Sequence, residues 1–422
     1  MKFCPRCGTK NADDATLCSM CRKPLPAGGA TAPRVVPKPS PVPSPRPSST
    51  MHHPHVSPVS HTEGHRATSS GKTGLVAWLS RFFGGRRAAE VDWTTLYTGV
   101  FRHHSLEDAE EIFAVGTPTT TPSPSSVSST WPRPWLFSRV FLLFMATYAL
   151  LYISVAAFPN AIPDTPNLMI VGSFAVPVST LILFMELNVW KNISFYRVFQ
   201  SFAIAGAASC IIALVVFSLF PPHNDWEGAI VAGIGEEIAK AILVLVSMKV
   251  FLKTPQRLLN GLLIGAAVGA GFGAFESAGY CFHYFLQANN FGVFADTIHR
   301  AGYLGPVETP EDPLKVMQTV ILIRGILAPG GHVAYAALHG AALSIVARTA
   351  KLDASALVNP QFLRIAVFSV LAHIAWDCPI LGTGPISYVK CAVLIAVLWL
   401  VVMILVHRGL DEVRHVYSRP AD

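Results

Sequence analysis

The stretch Gly235-Glu236-Glu237-Ile238-Ala239-Lys240 places two carboxylates and an ammonium inside an apolar run from Gly228 to Met248. An apolar run of about 20 residues is typical of a membrane-spanning helix. A charged side chain at bilayer depth costs roughly 2.5–3.5 kcal/mol on insertion scales. On a helix, Glu236 and Lys240 have the order and spacing that favour an ion pair, whereas Glu237 points about 100° away from Glu236. The stretch therefore predicts either a functional site within the membrane or an ion pair that locks helices together.

The composition of the whole chain indicates a membrane protein with several spans. Of its 422 residues, 51% are hydrophobic and only 14% are charged, which is unusual for a soluble domain. The formal net charge is +7, but the basic residues concentrate in the first third and in alternate short loops. This distribution indicates membrane topology, and we expect no nucleic-acid partner.

Apolar runs predict an all-α bundle of about eight transmembrane helices. Their approximate limits are 135–158, 168–190, 198–220, 228–248, 258–282, 315–347, 362–378 and 387–407. The sixth run is too long for one straight helix, and Ala328-Pro329-Gly330-Gly331 is predicted to break it. Because the basic loop residues fall on one side, the positive-inside rule predicts a multi-pass protein of the cell membrane with both termini in the cytoplasm.

Composition divides the chain into five segments: 1–25, 26–72, 73–130, 131–410 and 411–422. The second is rich in Pro and Ser, which predicts a disordered linker, and the last is a cytoplasmic tail. The membrane-proximal third segment carries apolar residues at helical spacing: Leu75, Trp78, Leu79, Phe82 and Phe83. This spacing fits either a helix on an anionic membrane surface or a helix packed on the protein itself.

Four cysteines in the first segment form a paired CxxC motif: Cys4, Cys7, Cys18 and Cys21. Two such pairs supply the four thiolates of a tetrahedral structural zinc site. A segment of about 25 residues is too short to bury a hydrophobic core and needs such a bound metal to fold. Disulfides are the alternative. However, Met1-Lys2-Phe3-Cys4-Pro5 shows no signal peptide, and thiols stay reduced in the cytoplasm. We predict a zinc ribbon whose binding partner the sequence does not identify.

Polar residues recur at a similar depth within the later predicted spans: Glu276 and Tyr280, His332 and His339, and His373 and Asp377. A carboxylate four residues from a histidine can orient the imidazole and fix its tautomer. Together with Glu236 and Glu237, this set suits activation of water by carboxylates or by a bound metal. For His339 alone, a hydrogen bond between helices is the simpler interpretation.

The motifs resemble those of the PrsW-type intramembrane proteases, distant relatives of the CAAX-prenyl protease and Abi superfamily. The resemblance covers about residues 135–407 and rests on Glu236-Glu237-x-x-Lys240, Asn260-Gly261-x-x-x-Gly265, Phe275-Glu276-x-x-x-Tyr280, Pro329-x-x-His332 and His373-x-x-Trp376-Asp377. Asn260 stands where Asp is expected and Ser277 where Asn is common. Neither difference removes a proposed catalytic group.

The resemblance implies hydrolysis of a peptide bond in a membrane-anchored protein, such as an anti-sigma factor. The implied catalytic residues are Glu236, Glu237, Glu276, His332 and His373, with Lys240, Tyr280 and Asp377 in support. In one mechanism, His332, His373 and Glu276 hold a zinc ion, while Glu236 or Glu237 is the general base. In the other, no metal takes part: a glutamate activates water, and the histidines and Tyr280 stabilise the oxyanion. We favour the first, because His and Glu converge from three helices.

Two other functions also fit a membrane protein with buried charges. Chains of Glu, Lys and His side chains form ion pathways, which would indicate a proton- or ion-coupled transporter. The sequence shows no paired broken helices in two related halves, which many transporters have. The third hypothesis is a catalytically inactive membrane scaffold that displays the zinc ribbon, and the complete polar set argues against it.

Overall fold

A computed structural model describes residues 2–3, 10–11, 16, 73–85, 88–158, 164–251, 257–288, 312–380 and 385–417. The chain divides into two units, Met1–Ala67 and Thr68–Asp422. In the first unit, β1 (Lys2–Phe3) pairs antiparallel with β2 (Lys10–Asn11). The four cysteines of the predicted zinc ribbon and the predicted linker 26–72 lie outside the described residues, so the ribbon and the linker stay predictions.

The second unit is built from helices throughout its described part. Three short helices come first: α1 (Thr73–Phe82), α2 (Trp93–Thr98) and α3 (Leu106–Phe113). They are followed by α4 (Leu136–Ala157), α5 (Asp164–Leu187), α6 (Phe195–Gln200), α7 (Gly206–Leu219), α8 (Asp225–Phe251), α9 (Leu258–Ala288), α10 (Pro313–Leu327), α11 (His332–Val346), α12 (Pro360–Asp377) and α13 (Pro385–Tyr417). This architecture confirms the predicted all-α bundle.

Six segments of the described chain are long and apolar enough to cross a membrane: Leu136–Ala157, Asp164–Leu187, Phe195–Leu219, Leu258–Ala288, Pro313–Val346 and Ile386–Arg414. They correspond to six of the eight predicted spans. The other two predicted spans are α8, which carries the charged motif, and α12, which has only 18 residues. Both form helices, and both contribute to the polar cluster described below.

Helix α9 lies at the centre of the bundle and is buried along most of its length. A Cβ at Gly261, Gly265 or Gly269 would collide with a backbone carbonyl of α11. These carbonyls belong to Gly340, Ala336 and His332, respectively. Small residues spaced four apart allow two membrane helices to come into backbone contact, and here that contact fixes His332 beside α9.

A π-helical turn, Ser201–Ala205, joins α6 to α7 and packs on another side of α9. A Cβ at Gly271 would collide with the carbonyl of Phe202 in this turn, and one at Gly206 would lie against Gly271 itself. Single π-helical turns occur frequently near functional sites. This one sets the start of α7 against the middle of α9.

The predicted break in the sixth span lies between α10 and α11. Helix α10 ends at Leu327, a 3-10 turn covers Ala328–Gly330, and α11 begins at His332. The indole of Trp399 donates a 2.7 Å hydrogen bond to the carbonyl of Pro329. A break leaves carbonyls unpaired in apolar surroundings, so this bond stabilises it, and His332 occupies the first position of α11.

Two further contacts organise the edge of the bundle. The carboxylate of Glu186 accepts hydrogen bonds from the backbone N–H groups that begin α4, at 2.7, 2.9 and 3.0 Å. Helix α1 packs on the bundle through Leu79 and Phe83, which are 5% and 2% exposed, whereas Leu75 and Trp78 are 59% and 57% exposed. One face of α1 therefore docks on the protein, and the other remains uncovered.

Candidate functional site

Glu237 lies at the centre of a buried polar cluster and is only 1% exposed. Its Oε1 is 2.6 Å from Nζ of Lys240 and 2.8 Å from Nδ1 of His373. Its Oε2 is 2.8 Å from Nε2 of His339. These partners come from α8, α12 and α11, so the carboxylate joins three helices through charge-assisted hydrogen bonds.

Glu236, the preceding residue, has a different environment. Its Oε2 is buried and has no hydrogen-bond partner within the described part of the chain. It lies 3.6 Å from Nδ1 of His332, 3.7 Å from Nε2 of His373 and 3.6 Å from Nζ of Lys240. Burying a polar atom without a hydrogen bond costs free energy. The position of this oxygen therefore indicates that it binds a ligand or reacts.

Each histidine beside Glu236 contacts a second carboxylate through its other ring nitrogen. Nδ1 of His373 is 2.8 Å from Glu237, and Nε2 of His332 is 2.8 Å from Oε2 of Glu276. When these nitrogens carry the protons, Nε2 of His373 and Nδ1 of His332 present lone pairs on the side of Glu236. Carboxylates orient metal-binding histidines in the same way in many proteins.

Lys240 places a positive charge in the same cluster, and its side chain is completely buried. Besides its contact with Glu237, Nζ is 2.9 Å from Nδ1 of His332 and 4.5 Å from the ring centre of Phe272. The ammonium thus balances the charge of Glu237 and also occupies a position next to Glu236.

Arg324 on α10 supplies a second cation at the wall of the site. It forms an ion pair with Glu276, donates from Nε to Oγ of Ser277 at 2.9 Å, and lies 4.4 Å from the ring centre of Tyr280. These contacts balance the negative charge of Glu276 and hold its carboxylate against His332.

A cavity of about 450 Å³ opens onto the cluster. Its walls include Glu276, Tyr280, His332, Tyr335, His373 and Asp377. The cavity also reaches Pro222, Asp225 and Gly228 at the start of α8, and Trp376 at the end of α12. Because both helix ends lie at its margin, the cavity connects the buried cluster with one end of the bundle.

A family model described as PrsW family intramembrane metalloprotease matches residues 196–406, which is half of the 422 residues. The chain belongs to the PrsW family. The matched region runs from α6 into α13 and contains every member of the cluster, so the resemblance found in the motifs is confirmed. Comparisons with curated proteins and with solved structures found no match. With six apolar segments in its described part that are long enough to cross a membrane, this PrsW protein is a multi-pass membrane protein, and its family is one of peptidases.

Three residues of this PrsW protein fit a metal ion. Glu236, His332 and His373 each offer one ligand atom, and these atoms lie within 4.8 Å of one another. A tetrahedral ion with bonds of about 2.0–2.2 Å separates its ligand atoms by roughly 3.3–3.6 Å. The distances from Glu236 Oε2 to the two imidazole nitrogens are 3.6 and 3.7 Å. The spacing, the donor chemistry and the oxygen without a hydrogen bond fit such an ion, although Lys240 lies 2.9 Å from Nδ1 of His332 and Asp377 lies 3.2 Å from Nε2 of His373.

The structure brings the predicted site residues of the membrane domain together in one cluster and its cavity: Glu236, Glu237, Lys240, Glu276, Tyr280, His332, His373 and Asp377. The predicted pair of His373 and Asp377 is present, with Nε2 3.2 Å from Oδ2. The sequence suggested Glu276 as the third metal ligand. The structure instead groups Glu236 with the two histidines, and Glu276 contacts Nε2 of His332, the ring nitrogen away from Glu236. The individual catalytic roles stay predictions.

Tyr335 belongs to the site but was not identified from the sequence. Its ring stacks on His373 with centres 5.1 Å apart, and the residue is 1% exposed. Its hydroxyl has no hydrogen-bond partner within the described residues. Tyr335 follows His332 by three residues on α11, and residues three apart share a helix face. That spacing is the signal that could have identified it.

Proposed function

We propose that this protein hydrolyses a peptide bond of a membrane-anchored protein, with water activated beside Glu236, His332 and His373. The observation that carries the proposal is the position of Glu236 Oε2, which is buried, accepts no hydrogen bond from the described residues, and lies 3.6–3.7 Å from one nitrogen of each histidine. Membership in a family of intramembrane peptidases supports the reaction class. It also favours a peptidase over the transporter and scaffold hypotheses.

Glu236, His332 and His373 would hold the metal, and a set of two imidazoles and one carboxylate is typical of catalytic zinc. When bound, such an ion polarises a carbonyl and makes a water molecule more acidic. Glu237 and Glu276 would each fix one histidine ring, because each carboxylate lies 2.8 Å from the nitrogen on the far side of that ring. Glu237 is then a positioning residue, since both of its oxygens already have close partners in Lys240, His373 and His339.

Glu276 is our candidate for the general base. Its side chain is 19% exposed and lines the cavity, whereas the side chain of Glu237 is completely buried. Arg324 and His332 both contact Oε2 of this carboxylate, so Oε1 would accept a proton from water at the cavity wall and later donate it to the leaving amine. Tyr280, on the same wall, would orient the peptide beside it.

The shape of the cavity indicates the direction from which water and peptide enter. The cavity reaches the start of α8 and the end of α12, and the basic residues of the neighbouring loops follow α8 and precede α12. By the positive-inside rule, the open end faces away from the cytoplasm. A membrane-anchored regulator such as an anti-sigma factor stays the predicted substrate.

A metal-free mechanism is the second candidate, and the contact between Lys240 and His332 favours it. Nζ of Lys240 lies 2.9 Å from Nδ1 of His332, where an ion held by this nitrogen would meet a like charge. In this mechanism, the unpaired oxygen of Glu236 accepts the proton of the attacking water. The histidines and Tyr280 then stabilise the negative charge that develops on the carbonyl oxygen.

The test is cleavage of single-span substrates by the full chain reconstituted in lipid nanodiscs. We expect Glu236→Gln, Glu276→Gln and His373→Gln each to reduce cleavage by at least about 100-fold, the contribution typical of an acid–base group. The control is His223→Gln, because that side chain is 82% exposed and lies outside the cluster. Normal cleavage by all three variants would exclude the proposed site. Ion flux through liposomes without substrate would instead support a transporter.

A further inference from the structure

A second cavity, which we name the apolar groove, lies between α7 and α9. Its walls include Cys210, Ala213, Leu214, Phe272, Phe275 and Gly279, and its volume is about 330 Å³. An apolar cavity of about 150 Å³ already holds a benzene ring, so the groove has room for a large side chain. Leu214 is 55% exposed, which places the rim of the groove on the outer surface of the bundle.

The apolar groove adjoins the cavity of the candidate active site. Phe217, Glu276 and Tyr280 line both spaces. Oε2 of Glu276 is 2.8 Å from Nε2 of His332. A residue of the groove wall therefore contacts one of the candidate metal ligands. A peptide whose bond lies beside Glu276 can therefore place an adjacent side chain in the groove.

The surroundings of the groove determine which occupant it fits. Ile211 and Val215 on α7 are 62% and 53% exposed, on a segment apolar enough to cross the membrane. A substrate span lying along α7 would thus reach the rim from the lipid. The groove walls are mostly apolar, and a polar side chain would lose hydrogen bonds to water there without gaining enough partners.

We propose that the apolar groove is a substrate subsite that takes a large apolar side chain next to the bond that is cut, an inference that rests on the proposed function. The space exists because small residues face it. A Cβ added at Gly279 would meet no atom of the described residues within 4 Å, so a larger residue fits there and fills the groove. Gly279 thus sets the size of the side chain that the subsite accepts.

The test compares cleavage profiles of the full chain in lipid nanodiscs. The probe is a library of single-span peptides with randomised span residues, and mass spectrometry identifies the residues on each side of every cut. When two side chains differ in size by one methylene, an apolar pocket changes the relative cleavage rate by about 10–200-fold. We therefore expect Leu, Ile, Phe and Met to exceed Gly and Ala at least tenfold at one position fixed relative to the cut.

Two substitutions should change this preference in opposite directions. Gly279→Leu fills the groove, and we expect the preference for large side chains at that position to disappear. Leu214→Ala opens the rim at a residue that is 55% exposed, and we expect a shift toward Phe and Trp. The matched control is Val393→Phe, which enlarges a residue of α13 that is 56% exposed and lines neither cavity, and it should leave the profile unchanged.

The outcomes separate this inference from the proposed function. If the wild-type protein cuts the library but Gly279→Leu and Leu214→Ala keep its profile, the subsite is wrong and the peptidase function stands. Lipid that copurifies with the wild type and is lost from Gly279→Leu, with no change in profile, would assign the groove to an acyl chain and overturn the subsite. If the wild type cuts no peptide, the proposed function fails and the subsite fails with it. If Gly279→Leu does not fold, Leu214→Ala alone decides.

Discussion

Glu237 and His373, on helices α8 and α12, are joined by a 2.8 Å contact between Oε1 and Nδ1. The same carboxylate contacts Lys240 and His339, while Glu236 beside it has an oxygen with no hydrogen-bond partner in the described structure. We therefore propose different roles for these two adjacent glutamates. Glu237 would hold the site together, and Glu236 would take part in the reaction.

Glu237→Gln should destabilise the protein. The amide keeps the size of the side chain but leaves the ammonium of Lys240, which is completely buried, without its main countercharge. Breaking a buried ion pair in this way costs about 3–5 kcal/mol. The measurement is unfolding of the purified protein in detergent. Glu237→Gln/Lys240→Met should recover much of the lost stability, because it removes both charges.

Glu236→Gln should reduce cleavage without destabilising the protein. Its carboxylate accepts no hydrogen bond at Oε2 within the described residues, so neutralising it removes a buried charge and should not lower the unfolding temperature. Cleavage should nevertheless fall by at least about 100-fold. Equal loss of stability in Glu236→Gln and Glu237→Gln would contradict this division of roles.

Metal content provides a separate test of the site and of the predicted zinc ribbon. We expect two zinc ions per wild-type chain, one in each site, because structural and catalytic zinc sites each hold one ion. His373→Gln should lose one ion together with activity. Cys18→Ser/Cys21→Ser should lose the other while still cleaving substrate. Elemental analysis of the purified variants measures both losses. One ion in the wild type, unaffected by His373→Gln, would favour the metal-free mechanism.

Much of this arrangement can be predicted from the sequence, because a membrane restricts apolar segments of this length to helices. Apolar runs defined the helices, Pro329 and Gly330 marked the break before His332, and charges inside the runs identified the site. The rotation of α8 about its axis could not be predicted. It is set by Gly233, which packs on Ile374 of α12, and by Gly235, which packs on Val216 of α7. Such contacts between distant residues determine that Glu237 bonds to His339 and His373, whereas Glu236 keeps an oxygen without a hydrogen bond in the described structure.

The glycine packing of α9 yields a prediction about stability. A Cβ at Gly265 would collide with the carbonyl of Ala336, so Gly265→Ala must separate α9 from α11. We expect a loss of about 1–3 kcal/mol, as for other overpacked sites, and lower activity because His332 moves with α11. The control is Gly325→Ala, where the nearest atom to the added Cβ is 4.0 Å away. That change should be neutral or add up to about 1 kcal/mol through helix propensity. Similar unfolding temperatures for the two variants would contradict the close packing.

Tyr335→Phe should raise stability and lower activity at the same time. The hydroxyl of Tyr335 is buried without a hydrogen-bond partner in the described structure, so removing it should increase the free energy of unfolding by about 1 kcal/mol. The ring remains stacked on His373, which keeps the imidazole in place. If the hydroxyl donates a hydrogen bond to the reacting peptide, kcat should fall at nearly constant KM, because that bond would form only as charge develops. Tyr388→Phe, at a residue that is 48% exposed, should change neither quantity. A Tyr335→Phe variant that unfolds more easily than the wild type and cleaves normally would show that the hydroxyl has a structural partner and no part in catalysis.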